Sequence, residues 1–266
     1  MIAGNGRFPV LALEMARKLG HDVVVLGIKE EAPPEVESLA SRCYWISLGQ
    51  LGQLIEILKT EGVTEVMMAG QVKHASLFSN IRPDWLLIKL LATLPQRNTG
   101  ALIGAVAKLL ESEGIRLVDS TALLKPLLAE QGALTNRRPA RDELADVEYG
   151  RRIANALAGY DIGQSVAVCE GACIAVEAME GTDAMLRRAA GLVNGRPLRL
   201  AKVGRRRRHL LFDVPVAGAG TIPVMVETGT TIMAVDAGRT LLLDRDEMLR
   251  QANEANIAIV GFAAED

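Results

Sequence analysis

Aromatic residues are scarce in this sequence, at 3% of its 266 positions, and neither charge sign dominates, since the net charge is −2. With so few rings, small and branched aliphatic side chains must fill the core, as is typical of parallel α/β sheets. A nearly neutral chain has no general attraction to a polyanion, so a nucleic-acid partner is not expected. These two shortages favour an α/β protein that acts on something other than nucleic acid.

Cysteine is also rare. Cys43, Cys169 and Cys173 lack the spacing of a disulfide framework, so we expect reduced thiols in a cytosolic compartment. Cys169 and Cys173 flank a short Glu-Gly-Ala turn, where small core residues are favoured over metal ligands. Long hydrophobic runs are missing as well: none approaches the roughly 18 residues of a membrane span, and no signal-peptide pattern is present. The expected localisation is cytoplasmic.

Short apolar runs alternate with helical patterns in the first half of the chain. Runs at 23–28, 43–48, 65–70 and 115–119 predict strands, and the segments between them have helical periodicity. This alternation indicates βαβ units around a parallel sheet. The predicted fold class is therefore α/β, with a Rossmann-like N-terminal domain over residues 1–132.

The pattern changes after a charged stretch at 133–140 that contains a proline, and this stretch is the predicted linker. Residues 141–266 begin with a helical pattern and continue with two adjacent strands joined at Gly171 and Ala172, which predicts a hairpin. Further helices and strands follow without an internal repeat. We therefore expect a C-terminal domain of mixed α/β type.

A glycine-rich turn, IAGNGRFP, lies between a short strand and a helix at the N-terminus. Gly4, Asn5 and Gly6 would let the backbone approach a ligand, and the helix N-terminus would offer amides to a phosphate. A plain structural turn is an equal alternative, because the third glycine of a dinucleotide motif is missing. Gln71 and Lys73 follow a later strand, at the sheet edge where open α/β sheets bind ligands.

Acidic and basic side chains crowd the segment VEAMEGTDAMLRR at 176–188. Thr182 is the predicted start of a helix, and Asp183 lies in its first turn, four residues before Arg187. A solvated helix start with ordinary ion pairs is one interpretation. The other is a phosphate and cation site, because guanidinium groups hold phosphate oxygens and carboxylates hold divalent metals.

Asp213 lies between apolar neighbours in FDVPV. An acid in such a context needs a partner, and a metal ion, Lys202 or an arginine could supply it. Residues 205–208, all arginine, come shortly before it, and a solvated basic loop is the simple interpretation of that run.

Seven stretches of the sequence resemble the LpxI-type UDP-2,3-diacylglucosamine pyrophosphatases of Gram-negative lipid A synthesis. They are IAGNGRFP, AGQVKHASL, DIGQSVAV, VEAMEGTDAMLRR, FDVPVAG, TIPVM and AVDAGRTLLLDRDEM, and they cover essentially the whole chain in order. The resemblance implies a two-domain hydrolase that depends on Mg²⁺ or another divalent cation. It also implies an active site in the cleft between the domains, where the lipid substrate is held.

The resemblance implies a role for each matched position. Asp213 matches the family's essential aspartate, Glu177 and Asp183 are expected to act with it in catalysis, and Asp213 and Asp183 are the expected metal ligands. The expected substrate-binding residues are Gly4, Asn5, Gly6, Gln71, Lys73, Gln164, Glu180, Gly181, Thr182, Arg187, Arg188 and Lys202. The expected partners are UDP-2,3-diacylglucosamine and the inner-membrane surface, to which the protein would bind peripherally, with a homodimer as the candidate assembly.

Three functions stay open at this point. The expected reaction is hydrolysis of UDP-2,3-diacylglucosamine to 2,3-diacylglucosamine 1-phosphate and UMP. The alternatives are hydrolysis of another nucleotide-sugar pyrophosphate and binding of the lipid nucleotide without turnover. Departures from the family pattern favour the non-catalytic alternative, whereas Asp213 favours an enzyme; the departures are Arg206, Arg208, His209 and Leu211.

Overall fold

The structure is a computed structural model, and it describes residues 1–72, 82–94, 99–160, 162–204 and 214–264. Lys73, Asp213 and the four arginines at 205–208 lie outside the described residues. The chain divides into two compact units, Met1–Leu124 and Lys125–Asp266, so the linker predicted at 133–140 lies within the second unit.

The first unit contains a parallel sheet. Its described strands are β1 (Ile2–Ala3), β2 (Val24–Ile28), β3 (Arg42–Ile46), β4 (Glu65–Val66), β5 (Met68–Ala69) and β6 (Arg116–Leu117). Its described helices are α1 (Phe8–Lys18), α2 (Glu35–Leu39), α3 (Leu51–Thr60), α4 (Trp85–Thr93) and α5 (Thr99–Ser112). Strands β3, β2, β1 and β5 pair in that order and all in parallel, and β4 pairs with β6. The parallel sheet predicted for this half is confirmed.

The second unit contains a mixed sheet. Its described strands are β7 (Gly132–Ala133), β8 (Ser165–Cys169), β9 (Ala172–Val176), β10 (Leu198–Lys202), β11 (Val216–Gly218), β12 (Thr230–Asp236), β13 (Leu241–Leu243) and β14 (Ala258–Phe262). Its described helices are α6 (Arg141–Gly159), α7 (Thr182–Ala190), α8 (Thr221–Glu227) and α9 (Arg245–Glu254). Among the described residues, six strands pair in the order β7-β14-β12-β10-β8-β9. Strands β10, β12 and β14 are parallel, and β8 is antiparallel to both β10 and β9. The mixed α/β character expected here is confirmed.

The β8–β9 hairpin predicted from the sequence is present, but its turn lies one residue earlier than expected. The connection is Glu170–Gly171, with φ angles of 49° and 76°. Two consecutive positive φ angles match the right-handed twist of paired strands, and glycine takes up one of them without strain. Ala172 is instead the first residue of β9.

Aliphatic side chains fill the core of the second unit on both faces of its sheet. Leu198 and Leu200 of β10 pack with Met185, Leu186 and Met225 from α7 and α8. On the opposite face, α6 lies so close that a Cβ on Gly150 would be 3.0 Å from the side chains of Ala201 and Val168. Among the described residues, no helix is both long enough and apolar enough to cross a membrane.

Candidate functional site

The candidate site lies at the strand ends on one side of the six-stranded sheet, where β9, β10 and β12 end and β8 begins. Lys202 is the last residue of β10 and pairs with Ser165, the first residue of β8. Glu177 follows β9 directly, and its backbone N–H donates to the Ser165 carbonyl at 2.9 Å. Asp236 is the last residue of β12. Open α/β sheets bind ligands at the carboxyl ends of their parallel strands, and the topology brings these four side chains to that edge.

Thr182, the first residue of α7, connects three of these side chains. Its hydroxyl donates to Glu177 Oε1 at 3.0 Å and accepts from Lys202 Nζ at 2.9 Å. The Ser165 hydroxyl lies 3.1 Å from the same oxygen. Gly181, with φ of 82°, precedes Thr182 and turns the chain into the helix. The structure thus brings the predicted residues Glu177, Thr182 and Lys202 together, and adds Ser165.

The chain entering β8 lies against the chain leaving β9. The backbone N–H of Gln164 donates to Glu177 Oε2 at 3.4 Å, and the Gln164 carbonyl accepts from Val203 N–H at 2.9 Å. A Cβ on Gly163 would lie only 1.9 Å from the Glu177 carbonyl oxygen. The absence of a side chain at Gly163 is therefore what permits this approach.

Glu180 and Arg188 stabilise the turn between β9 and α7. Glu180 accepts from Arg188 Nη2 at 2.6 Å and from the Ala178 N–H at 3.0 Å. Arg188 Nη2 also donates to the Val176 carbonyl at 2.9 Å. The backbone N–H of Glu180 itself and the Arg188 guanidinium hold the pKa of the Glu180 carboxyl below its ordinary value. Both side chains were predicted to bind substrate, and in this structure they form an ion pair with each other.

Asp183 and Arg187 both contact α8. Arg187 Nε donates to both carboxylate oxygens of Glu227 at 3.0 Å, and Thr221 Oγ1 lies 3.4 Å from Asp183 Oδ1. In the described part of the chain, no three His, Cys, Asp or Glu side chains converge as a metal site would require. Asp213, the second metal ligand expected from the sequence, lies outside that part.

A buried ion pair at the end of β12 was missed from the sequence. Asp236 is 1% exposed, and its carboxylate accepts from Arg151 Nη2 at 3.0 Å and from the Gly204 N–H at 2.8 Å. Arg151 also donates to the Ala263 carbonyl at 2.8 Å, and its guanidinium lies 4.8 Å from the centre of the Phe262 ring. The available signal was an acid that ends the apolar run TIMAVD, within a stretch already matched to the family.

The residues on either side of positions 205–213 meet beside this ion pair. A Cβ on Gly204 would lie 3.1 Å from Pro215 Cγ, and the Pro215 carbonyl accepts from the Leu241 N–H at 2.9 Å. Val214, next to Asp213 in the chain, is buried. The structure therefore holds both ends of the segment that contains Asp213 at the same edge of the sheet.

In the first unit, the glycine-rich turn pairs with the residues that follow β5. Gly4 N–H donates to the Ala69 carbonyl at 2.8 Å, and Asn5 and Gln71 exchange two backbone hydrogen bonds at 2.7 and 3.0 Å. A Cβ on Gly4 would lie 2.6 Å from the Gln71 carbonyl oxygen. The backbone N–H groups of Gly4 and Asn5 are thus already hydrogen-bonded within the unit. Gly6 is exposed and has a φ of 96°.

Both units are α/β, and each has polar or glycine-rich segments at the carboxyl ends of parallel strands, which is where open α/β sheets commonly bind ligands. Residues 1–127 match the family model of the LpxI N-terminal domain, and residues 130–260 match that of the LpxI C-terminal domain. The chain belongs to the LpxI family.

A curated relative and two solved structures show some likeness to the chain. UDP-2,3-diacylglucosamine pyrophosphatase LpxI of Caulobacter vibrioides is 30% identical over an alignment of 271 positions, which covers 98% of this chain and 96% of the relative. The biotin carboxylase domain of Hydrogenobacter thermophilus 2-oxoglutarate carboxylase has 13% identity and a TM-score of 0.27 over 71% of this chain and 40% of that chain. The biotin carboxylase subunit of a pyruvate carboxylase has 14% identity and the same TM-score over 67% and 37%. The chain spans well under half of those structures, and likeness at this level supports no conclusion about fold or function.

Proposed function

We propose that the protein hydrolyses UDP-2,3-diacylglucosamine to 2,3-diacylglucosamine 1-phosphate and UMP in lipid A biosynthesis. The observation that carries the proposal is that both LpxI domains are matched in order along residues 1–260, with a relative of that name sharing 30% identity over 98% of the chain. A likeness that extends over both units supports a shared activity better than a likeness confined to one motif would.

The chemistry at the strand ends of the second unit fits this reaction. Hydrolysis of a pyrophosphate needs cationic groups for the phosphate oxygens and carboxylates that hold a metal ion or orient water. Lys202 provides an ammonium group at the carboxyl end of β10, next to Thr182, and Asp183 provides a carboxylate in the first turn of α7. We assign the catalytic carboxylate to Asp213, on the family resemblance and its position next to Val214.

We propose Mg²⁺, or another divalent cation, as the cofactor, with Asp183 and Asp213 as its ligands. The carboxylate of Asp183 and the neighbouring hydroxyl of Thr221 are oxygen donors, which Mg²⁺ prefers. When bound, such an ion polarises a phosphoryl oxygen and lowers the pKa of a water molecule that it holds. Lys202 would bind phosphate oxygens, and Arg187 and Arg188 would join it by exchanging their ion pairs with Glu227 and Glu180 for the phosphate.

We propose further that the first unit is Rossmann-like and binds the nucleotide part of the substrate. The parallel order β3-β2-β1-β5 and the exposed Gly6 after β1 support this role.

The proposed substrate carries two acyl chains, so we also propose peripheral binding to the membrane. Trp85 and Ile88 of α4, 78% and 45% exposed, support it, because tryptophan favours the membrane–water interface.

The direct test is incubation of the purified protein with UDP-2,3-diacylglucosamine and Mg²⁺ or Mn²⁺, with UMP release as the readout. Wild-type protein should release UMP, Asp213→Ala should release none while still binding the lipid nucleotide, and the exposed Asp246→Ala should match wild type. Binding without release by wild type would support the non-catalytic alternative. Faster cleavage of a nucleotide sugar without acyl chains would support a different substrate.

A further inference from the structure

We propose that Thr182 is a positioning residue for Lys202, and that Ser165 and Glu177 fix its hydroxyl so that the Lys202 ammonium is held ready for a phosphate oxygen. The inference rests on the proposed function insofar as it takes the ligand to be a pyrophosphate. It concerns four side chains at one sheet edge, all of them described by the structure.

The hydrogen-bond geometry fixes the direction of each bond. A threonine hydroxyl has one proton to donate and two lone pairs that accept. Thr182 donates its proton to Glu177 Oε1 at 3.0 Å and accepts from Lys202 Nζ at 2.9 Å. The contact with Ser165 at 3.1 Å must then be donated by Ser165. All three hydrogen-bonding positions of the Thr182 hydroxyl are therefore filled.

Glu177 sets the orientation of that hydroxyl. One of its carboxylate oxygens accepts from Thr182, and the other accepts from the Gln164 N–H at 3.4 Å. Its backbone N–H is bonded to the Ser165 carbonyl at 2.9 Å. A carboxylate held on both oxygens is suited to orienting a neighbour, so we assign Glu177 a positioning role instead of the catalytic one expected from the sequence.

Lys202 is the group that this arrangement serves. A lysine ammonium has three donors on a flexible four-carbon stem, and holding one of them removes much of that freedom before a ligand binds. Thr182 takes one donor, which leaves two to point toward phosphate oxygens. The half-buried side chain lies at the carboxyl end of β10, the usual ligand edge of the sheet.

Thr182 does not cap the helix that it begins. It is the first residue of α7, but the helix N-terminus receives no side-chain cap, and the cap position belongs to Gly181. Thr182→Val keeps the side-chain shape and removes only the hydroxyl. The loss of three hydrogen bonds should lower the melting temperature to some extent, so ligand affinity is measured well below that temperature.

The experiment is a double-mutant cycle on Thr182→Val and Lys202→Met. Affinity for inorganic pyrophosphate with Mg²⁺ is measured by calorimetry, and kcat/KM for UDP-2,3-diacylglucosamine is measured in parallel. In each single variant, the pyrophosphate affinity and kcat/KM should both fall about tenfold or more, because a hydrogen bond to a charged group contributes about that much. The double variant should lose no more than Lys202→Met alone, because Thr182 acts through Lys202. Thr182→Ser should restore binding, and Thr60→Val on α3 should match wild type.

Two results would overturn the inference. Losses that add in the double variant would mean that Thr182 acts on the ligand independently of Lys202. If Thr182→Val or Lys202→Met bound pyrophosphate as tightly as wild type does, Thr182 would not position Lys202 for a phosphate oxygen. Failure of the proposed function looks different: wild type would release no UMP, while the pattern of pyrophosphate affinities would still hold.

Discussion

Asp236 illustrates how a single residue can organise a strand end. Its carboxylate is almost completely removed from solvent and accepts from Arg151 and from the backbone of Gly204. A buried charge is tolerated only when it is paired, since desolvation of an unpaired one is very costly. The pair therefore ties the end of β12 to α6 and to the chain leaving β10.

Asp236→Ala should lower the free energy of unfolding by about 3 to 5 kcal/mol, because it leaves the Arg151 guanidinium buried without its partner. Asp236→Asn should cost less, since its amide oxygen can still accept from Gly204. Urea denaturation of the full-length protein measures both. Asp246→Ala, at an exposed position on α9, should change stability by less than about 0.5 kcal/mol and is the control. Equal losses in Asp236→Ala and Asp246→Ala would contradict a structural role for the pair.

At the scale of elements, the approach of the β8 and β9 ends depends on Gly163. A methyl group there would meet the Glu177 carbonyl at 1.9 Å, a distance that cannot be kept, so the backbone around Gln164 must move. We expect Gly163→Ala to destabilise the protein by about 1 to 3 kcal/mol, through a clash in a tightly packed region.

Gly159→Ala is the matched control for this substitution. Gly159 is the last residue of α6, and a Cβ added there would meet no atom within 4 Å. Because alanine favours the helix, this variant should be neutral or more stable by up to about 1 kcal/mol. Thermal melting compares the two, and a similar loss in both would show that space at Gly163 is not what matters.

The first turn of α6 depends on Glu143. Its carboxylate accepts from Arg137 Nη1 and from the Ala140 N–H, both at 2.9 Å, and from the Thr231 hydroxyl. Burial acts to raise the pKa of Glu143, but these hydrogen bonds outweigh it and lower the pKa from 4.5 to about 2. A carboxylate whose pKa is lower in the folded state contributes stability above its ordinary pKa and loses it as the pH falls toward 2.

Glu143→Gln should therefore be less stable than wild type at neutral pH, and the difference should shrink between pH 5 and pH 2.5. The free energy of unfolding by urea, measured across this range, checks it. Arg137→Met should flatten the same pH dependence in part, because Arg137 supplies two of the hydrogen bonds. A constant difference between wild type and Glu143→Gln at all pH values would contradict the assignment.

At the scale of the whole molecule, each unit has its own sheet and buried core. We expect a fragment of residues 125–266 to fold cooperatively, with a single thermal transition. It should release no UMP from UDP-2,3-diacylglucosamine, because we assign nucleotide binding to the first unit. Full-length protein is the control, and full turnover by the fragment would contradict the assignment of nucleotide binding to the first unit.

Membrane binding is the second expectation at this scale. Basic residues near an anionic surface contribute roughly 1 kcal/mol each, and salt weakens the effect. Replacement of the four arginines at 205–208 by glutamine should weaken co-sedimentation with anionic vesicles but preserve turnover of substrate dispersed in detergent. Replacement by glutamine of four other exposed basic residues, scattered over the surface, controls for the change in net charge. Equal loss in both assays would place the arginines in the active site instead.

The sequence by itself determined the local elements and the family. Hydrophobic periodicity predicted the helices and strands around each sheet, because burial of one face repeats every two or 3.6 residues whatever the rest of the fold does. Motifs such as EGTDAMLRR indicated the LpxI family, since the order of residues along the chain is all that such a comparison needs. Glu177, Thr182 and Lys202 were chosen for the site on the same basis.

Only the tertiary structure decided which side chains meet. Asp183 and Arg187 lie four residues apart and share a helix face, as predicted, but the partner of the Arg187 guanidinium is Glu227, 40 residues away. Asp236 pairs with Arg151 across 85 residues. Ser165 lies opposite Lys202 because β8 is antiparallel to β10, and its hydroxyl lies 3.1 Å from that of Thr182. Strand order and register set these distances, and neither is encoded in the spacing of residues within a single segment.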